Sequence, residues 1–400
     1  MLERLSFGAL PRKAHTALYG SGPGNTRPLR YEECITRAGF DGPYSIVYHE
    51  RRPHEAEPIS VAHGWEIVAE RGRPARGLTR HHFRSFEQRK RGGAPLDARV
   101  PLLENDDVVL SVLAPDSEDP AYFVNADGDE LLFIRDGGGA LKTQLGELRF
   151  QANDYLCLPR GLLHRFVPDA TLTQEWLLIE SAGPIAIPRQ YRNDIGQLRM
   201  DAPYSHRDFR APAFSGPSDE GIRKLVVKRG GAFFGYRYLH SPLDVVGWDG
   251  TYYPVAFSIL DFQAKVGMVH LPPNLHATFS LPGALVCSFV PRPLDYHPQA
   301  IACPYPHSSV DIDEVIYYVR GNFTSRKGIS PGSISLHPAG IPHGPHPGAY
   351  ETSVAASRTD ELAVMLDCSK PLRVTAAALA IDDPGYHHSF VDPGASHSIG

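Results

Sequence analysis

The chain has 400 residues, too many for one ordinary hydrophobic core and suited to two domains of about 150 residues with additions. Its net charge of −5 argues against a broad attraction to nucleic acid or anionic lipid, and 42% hydrophobic with 21% charged residues is ordinary for a water-soluble globular protein. The five cysteines are odd in number, scattered and without a CxxC pair, and no apolar run reaches the length of a signal peptide or membrane span, so a reduced, cytoplasmic, non-membrane protein is expected.

In chain order, residues 1–100 read as a loop- and strand-rich extension. They contain a basic run, RGRPARGLTRHHFRSFEQRKRGG, which is expected to be a solvated face or an interface and not a nucleic-acid site. From 101 to 184 short apolar segments alternate with turn residues: VVLSVLAP, AYFVNADG, ELLFIRDG, ALKTQLG, ELRFQAND and YLCLPRG. Residues 185–245, rich in Pro, Arg and Tyr, read as a connector. The strand rhythm returns over 246–400 in VAFSILDF, ALVCSFVP, EVIYYVRG, NFTSRKG, SISLHPAG and ELAVMLDC. Many short strands joined by turns, in a chain with 37 glycines and 36 prolines, predict an all-β sandwich or barrel architecture.

An internal repeat sharpens that reading. Glu130 and Gly137 bracket LLFIRD as Glu314 and Gly321 bracket VIYYVR. Downstream, Pro159-x-Gly161-x-x-His164 matches Pro338-x-Gly340-x-x-His343, with Glu-to-His spacings of 34 and 29 residues. The pair of motifs, in order and twice, resembles the two motifs of the cupin superfamily and implies a bicupin, with two double-stranded β-helix (jelly-roll) barrels.

The second copy carries a complete ligand set. PHSSVDIDE supplies His307 and Glu314, and HPAGIPHGP supplies His343. Two neutral imidazoles and one carboxylate make a facial triad that leaves coordination positions open for substrate and dioxygen, as in non-haem Fe(II) oxygenases; zinc and manganese also accept these donors. The first copy keeps Glu130 and His164 but has no histidine among Phe123–Asp129, where Asn125 is the one substitute, so the first barrel is expected to be structural.

Beyond these motifs the chain resembles the homogentisate 1,2-dioxygenase family, in LPRKAHT, GFDGPYSIVYH, VVGWDGTYYP, FVPRPLDYHP and the block from PYPHSS to PHGPHPG. The resemblance implies a ferrous enzyme of aromatic amino acid (tyrosine and phenylalanine) catabolism, opening the ring of homogentisate with dioxygen to give maleylacetoacetate and assembling as a trimer or hexamer. It implies His307, Glu314 and His343 as iron ligands, with Tyr305 and His343 beside the substrate and His337 as a catalytic histidine contacting it. The acid–base histidine of the family falls in HLPPNLH, on His270 or His276, of which His270 is favoured. Where the family has a tyrosine nine residues after the glutamate this chain has Phe323, and Arg326 could supply the missing substrate contact. That departure keeps open gentisate or a substituted hydroquinone as substrate. A zinc bicupin isomerase would need further ligands and a basic phosphate pocket, and a non-catalytic storage bicupin would have lost the triad.

Overall fold

The computed structural model describes residues 3–23, 26–60, 78–85, 92–323, 328–354 and 356–391. The fold is a bicupin built almost entirely from short strands, with helices confined to single turns such as Ala349–Ser353 and Ala376–Leu379. No helix among the described residues is long and apolar enough to cross a membrane. All five cysteines are free thiols.

The two repeat copies share one pairing register. Strand Asp129–Asp136 pairs antiparallel with Asp154–Leu158, placing Glu130 opposite Leu158; strand Asp313–Arg320 pairs with Ile334–His337, placing Glu314 opposite His337. On the other side Glu130 faces Glu180, and Glu314 faces Asp367. Each glutamate strand ends at a glycine with φ near +100°, Gly137 and Gly321, and a β-carbon at Gly321 would overlap the Asp360 carbonyl. An aspartate precedes each glutamate and clamps the same turn. Asp129 accepts from the Arg160 and Ile185 amides, and Asp313 from those of Ala339 and Leu372.

Successive side chains on a strand point to opposite faces, and that alternation divides the interior. From strand Asp129–Asp136, Leu132 and Ile134 fill the first barrel together with Leu141, Phe150, Phe166 and Trp176. Leu131 and Phe133 point the other way, into a larger core shared with Val315, Tyr317 and Val364 of the second barrel. From strand Asp313–Arg320, Val315, Tyr317 and Val319 enter that shared core, whereas Glu314, Ile316 and Tyr318 line an open pocket. Among the described residues the first barrel is filled by these side chains, whereas the second opens into a pocket.

The division of the chain differs from the expected one. Lys224–Arg229 and Ala232–Tyr238, inside the anticipated connector, form a hairpin that extends the sheet of the first barrel by parallel pairing with Tyr122–Asn125. Val255–Ser258, expected in the second barrel, pairs with Asp154–Leu158 of the first. His81–Phe83, from the N-terminal extension, adds an edge strand to the second barrel beside Ile334–His337. These are long-range pairings between short strands, and local alternation carries no information about which distant strand completes a sheet.

Of the basic run, residues 71–77 and 86–91 lie outside the described residues. The described part is committed to the fold. Arg84 pairs with Asp383 at 2.9 Å, and the Arg80 guanidinium lies 4.5 Å from the Phe390 ring.

Candidate metal centre

Glu314 reaches the barrel interior because it is the second residue of its strand and shares a face with Ile316 and Tyr318. His307 and His343 are held to each other by their own backbones. The His307 amide donates to the His343 carbonyl at 2.8 Å and the His343 amide returns the bond at 2.9 Å. This isolated bridge sets the two rings 4.3 Å apart, and Gly344 lets the strands close, since a β-carbon there would press on Pro306. One ligand atom from each of His307, Glu314 and His343 falls within 4.8 Å of the others.

The unspent hydrogen-bonding capacity of these residues fits a metal ion. His307 Nδ1 is 3.1 Å from the Tyr305 carbonyl, which fixes that nitrogen as the donor and leaves Nε2 with its lone pair outward. His343 is 3% exposed, and neither ring nitrogen has a hydrogen-bond partner among the described residues; Nε2 lies 3.5 Å from Glu314 Oε2. A buried imidazole whose carboxylate neighbour is too far for a good hydrogen bond is costly, and a cation shared with Glu314 would remove the cost. Burial alone would raise the Glu314 carboxyl, but the imidazoles of His337 and His343 outweigh it and hold the group well below the usual carboxylate range, in its ligating form.

His337 is fully buried behind the triad. Its Nδ1 is 2.7 Å from Glu314 Oε1, its Nε2 is 3.0 Å from the Tyr386 hydroxyl, and its ring stacks on His343 at 4.8 Å. Both ring nitrogens are engaged by protein, and His337 does not line the pocket. His343, between His307 and His337, is also absent from the pocket wall.

The pocket, about 130 Å³, is bounded by His307 and Glu314 and by His270, Arg292, Tyr305 and Tyr318. Tyr305 is 52% exposed at its mouth, edge-on to His270 at 5.4 Å and to His307 at 6.1 Å. His270 Nδ1 lies 3.7 Å from Asp295. The alternative histidine, His276, also touches the pocket but is buried between Phe262 and Phe289; burial, then the nearby charges of Arg292 and His270, push it down to about 3. Phe323 is buried against Tyr318 at 4.9 Å and does not reach the pocket wall, and Arg326 lies outside the described residues.

In the first barrel a guanidinium stands beside the retained glutamate. Arg99 grips Glu130 with two bonds of 2.7 and 3.2 Å, Asn125 donates to both Glu130 and Glu180, and Lys228 completes the charge balance on Glu180. His164 remains buried nearby with Nε2 unpartnered among the described residues. Arg99, Tyr386, Arg292 and Asp313 were missed by sequence reasoning. Only Asp313 had a usable signal, the Asp-Glu doublet common to both copies.

Residues 107–259 match the family model for the homogentisate 1,2-dioxygenase N-terminal domain, and residues 275–392 that for its C-terminal domain. The chain is 35% identical over 382 residues to "Putative dioxygenase SSO1533" of Saccharolobus solfataricus, covering 95% of this chain and 96% of that protein. It is 28% identical to the homogentisate 1,2-dioxygenase of Nitrobacter hamburgensis and 26% to that of Bradyrhizobium diazoefficiens, spanning 60% and 59% of their lengths and 65% and 64% of its own. Among solved structures, a cupin 2 conserved barrel domain protein from Leptotrichia buccalis is similar over 68% of this chain and 88% of its own, at 12% identity and a TM-score of 0.31. The 35% identical relative matched over 95% of this chain, the two matched domain models and the repeated motifs together mean that the chain belongs to the homogentisate 1,2-dioxygenase family, within the cupin superfamily.

Proposed function

We propose that this protein is an Fe(II)-dependent ring-cleaving dioxygenase whose substrate is homogentisate or a closely related para-diphenol. The observation that carries the proposal is the hollow second barrel, where a pocket wall made by His307 and Glu314 meets His270 and Tyr305. Its volume of about 130 Å³ is on the scale of a cavity that holds one aromatic ring, ~150 Å³.

His307, Glu314 and His343 would hold the metal, which supplies Lewis acidity toward a phenol oxygen and one-electron chemistry toward dioxygen. The protein's part is positioning and proton handling. Tyr305 and Tyr318 flank the ring site, and the apolar side chains of Ile316, Leu271 and Phe289 keep water out. His270 accepts the phenol proton, being on the pocket wall with its Nδ1 3.7 Å from Asp295. His276, held near 3, is too weak a base at neutral pH for that step. His337 orients Glu314 from behind while Tyr386 fixes His337. Both atoms of dioxygen enter the product and no other atom is gained or lost, so that homogentisate becomes maleylacetoacetate as one ring carbon–carbon bond breaks. We place the protein in the cytoplasm as a homo-oligomer.

The test is anaerobic reconstitution with Fe(II), then oxygen uptake with homogentisate, gentisate and hydroquinone. Uptake with one molecule of dioxygen consumed per ring opened supports the reading. A metal-loaded protein that consumes no oxygen with any of the three would rule it out.

A further inference from the structure

Arg292 is the unexplained residue of the pocket. It sits in a short strand, Arg292–Pro293, fixed by antiparallel pairing to Arg358–Thr359 and by the Leu294 amide bonded to the Ser357 carbonyl at 2.9 Å. The guanidinium therefore hangs from a rigid ribbon, and it lines the same pocket as His270, His307 and Glu314. Of its five N–H donors, one is committed among the described residues, from Nη1 to the Val290 carbonyl at 3.1 Å. Its other contact is with the Phe289 ring, 5.7 Å from the guanidinium carbon. No carboxylate among the described residues lies within ion-pair distance of it, although Asp295 and Glu361 also border the pocket.

A partly buried guanidinium without a counter-ion is unfavourable unless a ligand completes it. Burial lowers the affinity of Arg292 for its proton, and the more distant charges of Glu361 and Asp295 do not make up the difference. The other cation on the wall, Lys265, is already bonded to the Asp201 carbonyl at 2.6 Å. Arg320, on the glutamate strand, is exposed and off the wall. Phe323 has no hydroxyl and packs on Tyr318 behind the wall.

We propose that Arg292 is the specificity-determining residue of this pocket and receives the carboxylate of an acidic side chain carried by the diphenol. The planar guanidinium fork matches a two-oxygen anion, which an alcohol or an unsubstituted ring cannot offer. The inference rests on the diphenol reading of the site and adds to it which group selects acidic rings over neutral ones.

Equilibrium binding to the Fe(II)-loaded protein under anaerobic conditions tests it, with homogentisate and with hydroquinone, its parent lacking the acetate arm. The wild type is expected to bind homogentisate about tenfold or more tightly than hydroquinone, and Arg292→Met to reduce that ratio to about one. Arg292→Lys, which keeps the charge but loses the fork, should fall between and serves as the deciding variant if the methionine protein does not fold. Equal affinities in the wild type, or a variant that keeps the wild-type ratio, would overturn the assignment of Arg292 while leaving the diphenol reading in place. A wild type that binds neither compound would remove both.

Discussion

At the scale of single residues, the candidate centre is a chain of contacts that ends well outside the pocket: Tyr386 holds His337, His337 holds Glu314, and Glu314 faces His343. Each link fixes the orientation of the next, and such supporting contacts typically affect metal affinity by about 10- to 100-fold. Tyr386→Phe keeps the ring that packs on Phe390 and removes only the hydroxyl. Chelator competition should show metal affinity weakened by about tenfold or more with the fold intact; an unchanged affinity would mean that packing alone orients His337. The two histidines of HLPPNLH separate in the same spirit. His270→Gln should lower turnover by about 10²- to 10⁴-fold at unchanged metal content. His276→Phe, which extends the aromatic contacts with Phe262 and Phe289, should retain turnover. Reversal of these two outcomes in oxygen-uptake assays would reassign the proton acceptor.

At the scale of elements, the two glutamate strands are built alike and differ in what faces the carboxylate: a guanidinium of the chain itself in the first barrel, the imidazoles of His337 and His343 in the second. The Arg99 guanidinium holds Glu130 down at about 2 despite complete burial. Because this lies below the ordinary value of 4.5, the pair stabilises the fold fully above about pH 4.5, and the contribution fades as pH falls toward 2. Arg99→Met leaves a buried carboxylate uncompensated and should destabilise the protein by about 3–5 kcal/mol at neutral pH. Denaturant titrations across pH should show the gap between variant and wild type narrowing as pH falls, because the uncompensated carboxyl of the variant takes up its proton at higher pH than the paired one; a gap independent of pH would refute the role given to the pair. The glutamate strands and the Pro-x-Gly-x-x-His turns were legible in the sequence because each is a local pattern repeated within the same chain. Arg99 was not, since it lies 31 positions before Glu130 and belongs to no motif. Tyr386 likewise stands 49 positions from His337, and only folding brings them together.

At the scale of the whole molecule, a first barrel filled by Leu132, Ile134, Phe166 and Trp176 and a second barrel that opens into a pocket lean on a common core. Period-two alternation sends Phe133 and Tyr317 to meet edge-to-face at 6.4 Å, and Tyr155 reaches Ser288 with a hydrogen bond of 2.9 Å. The second barrel lines its pocket with Glu314, Ile316 and Tyr318, while Val315, Tyr317 and Val319 of the same strand pack into the core shared with the first barrel. Arg373–Val374, from the C-terminal part of the chain, pairs with Val100–Glu104 in the sheet of the first barrel and ties the halves further. The two halves should therefore unfold together. Calorimetry is expected to give one transition in which the van't Hoff and calorimetric enthalpies agree, moving to higher temperature when the metal is bound. Phe133→Ala opens a cavity in the shared core at a cost of about 3–5 kcal/mol, and it should lower the single transition without splitting it. Two separate transitions, with Phe133→Ala shifting only the first-barrel one, would mean that the core is not shared in energy as it is in space.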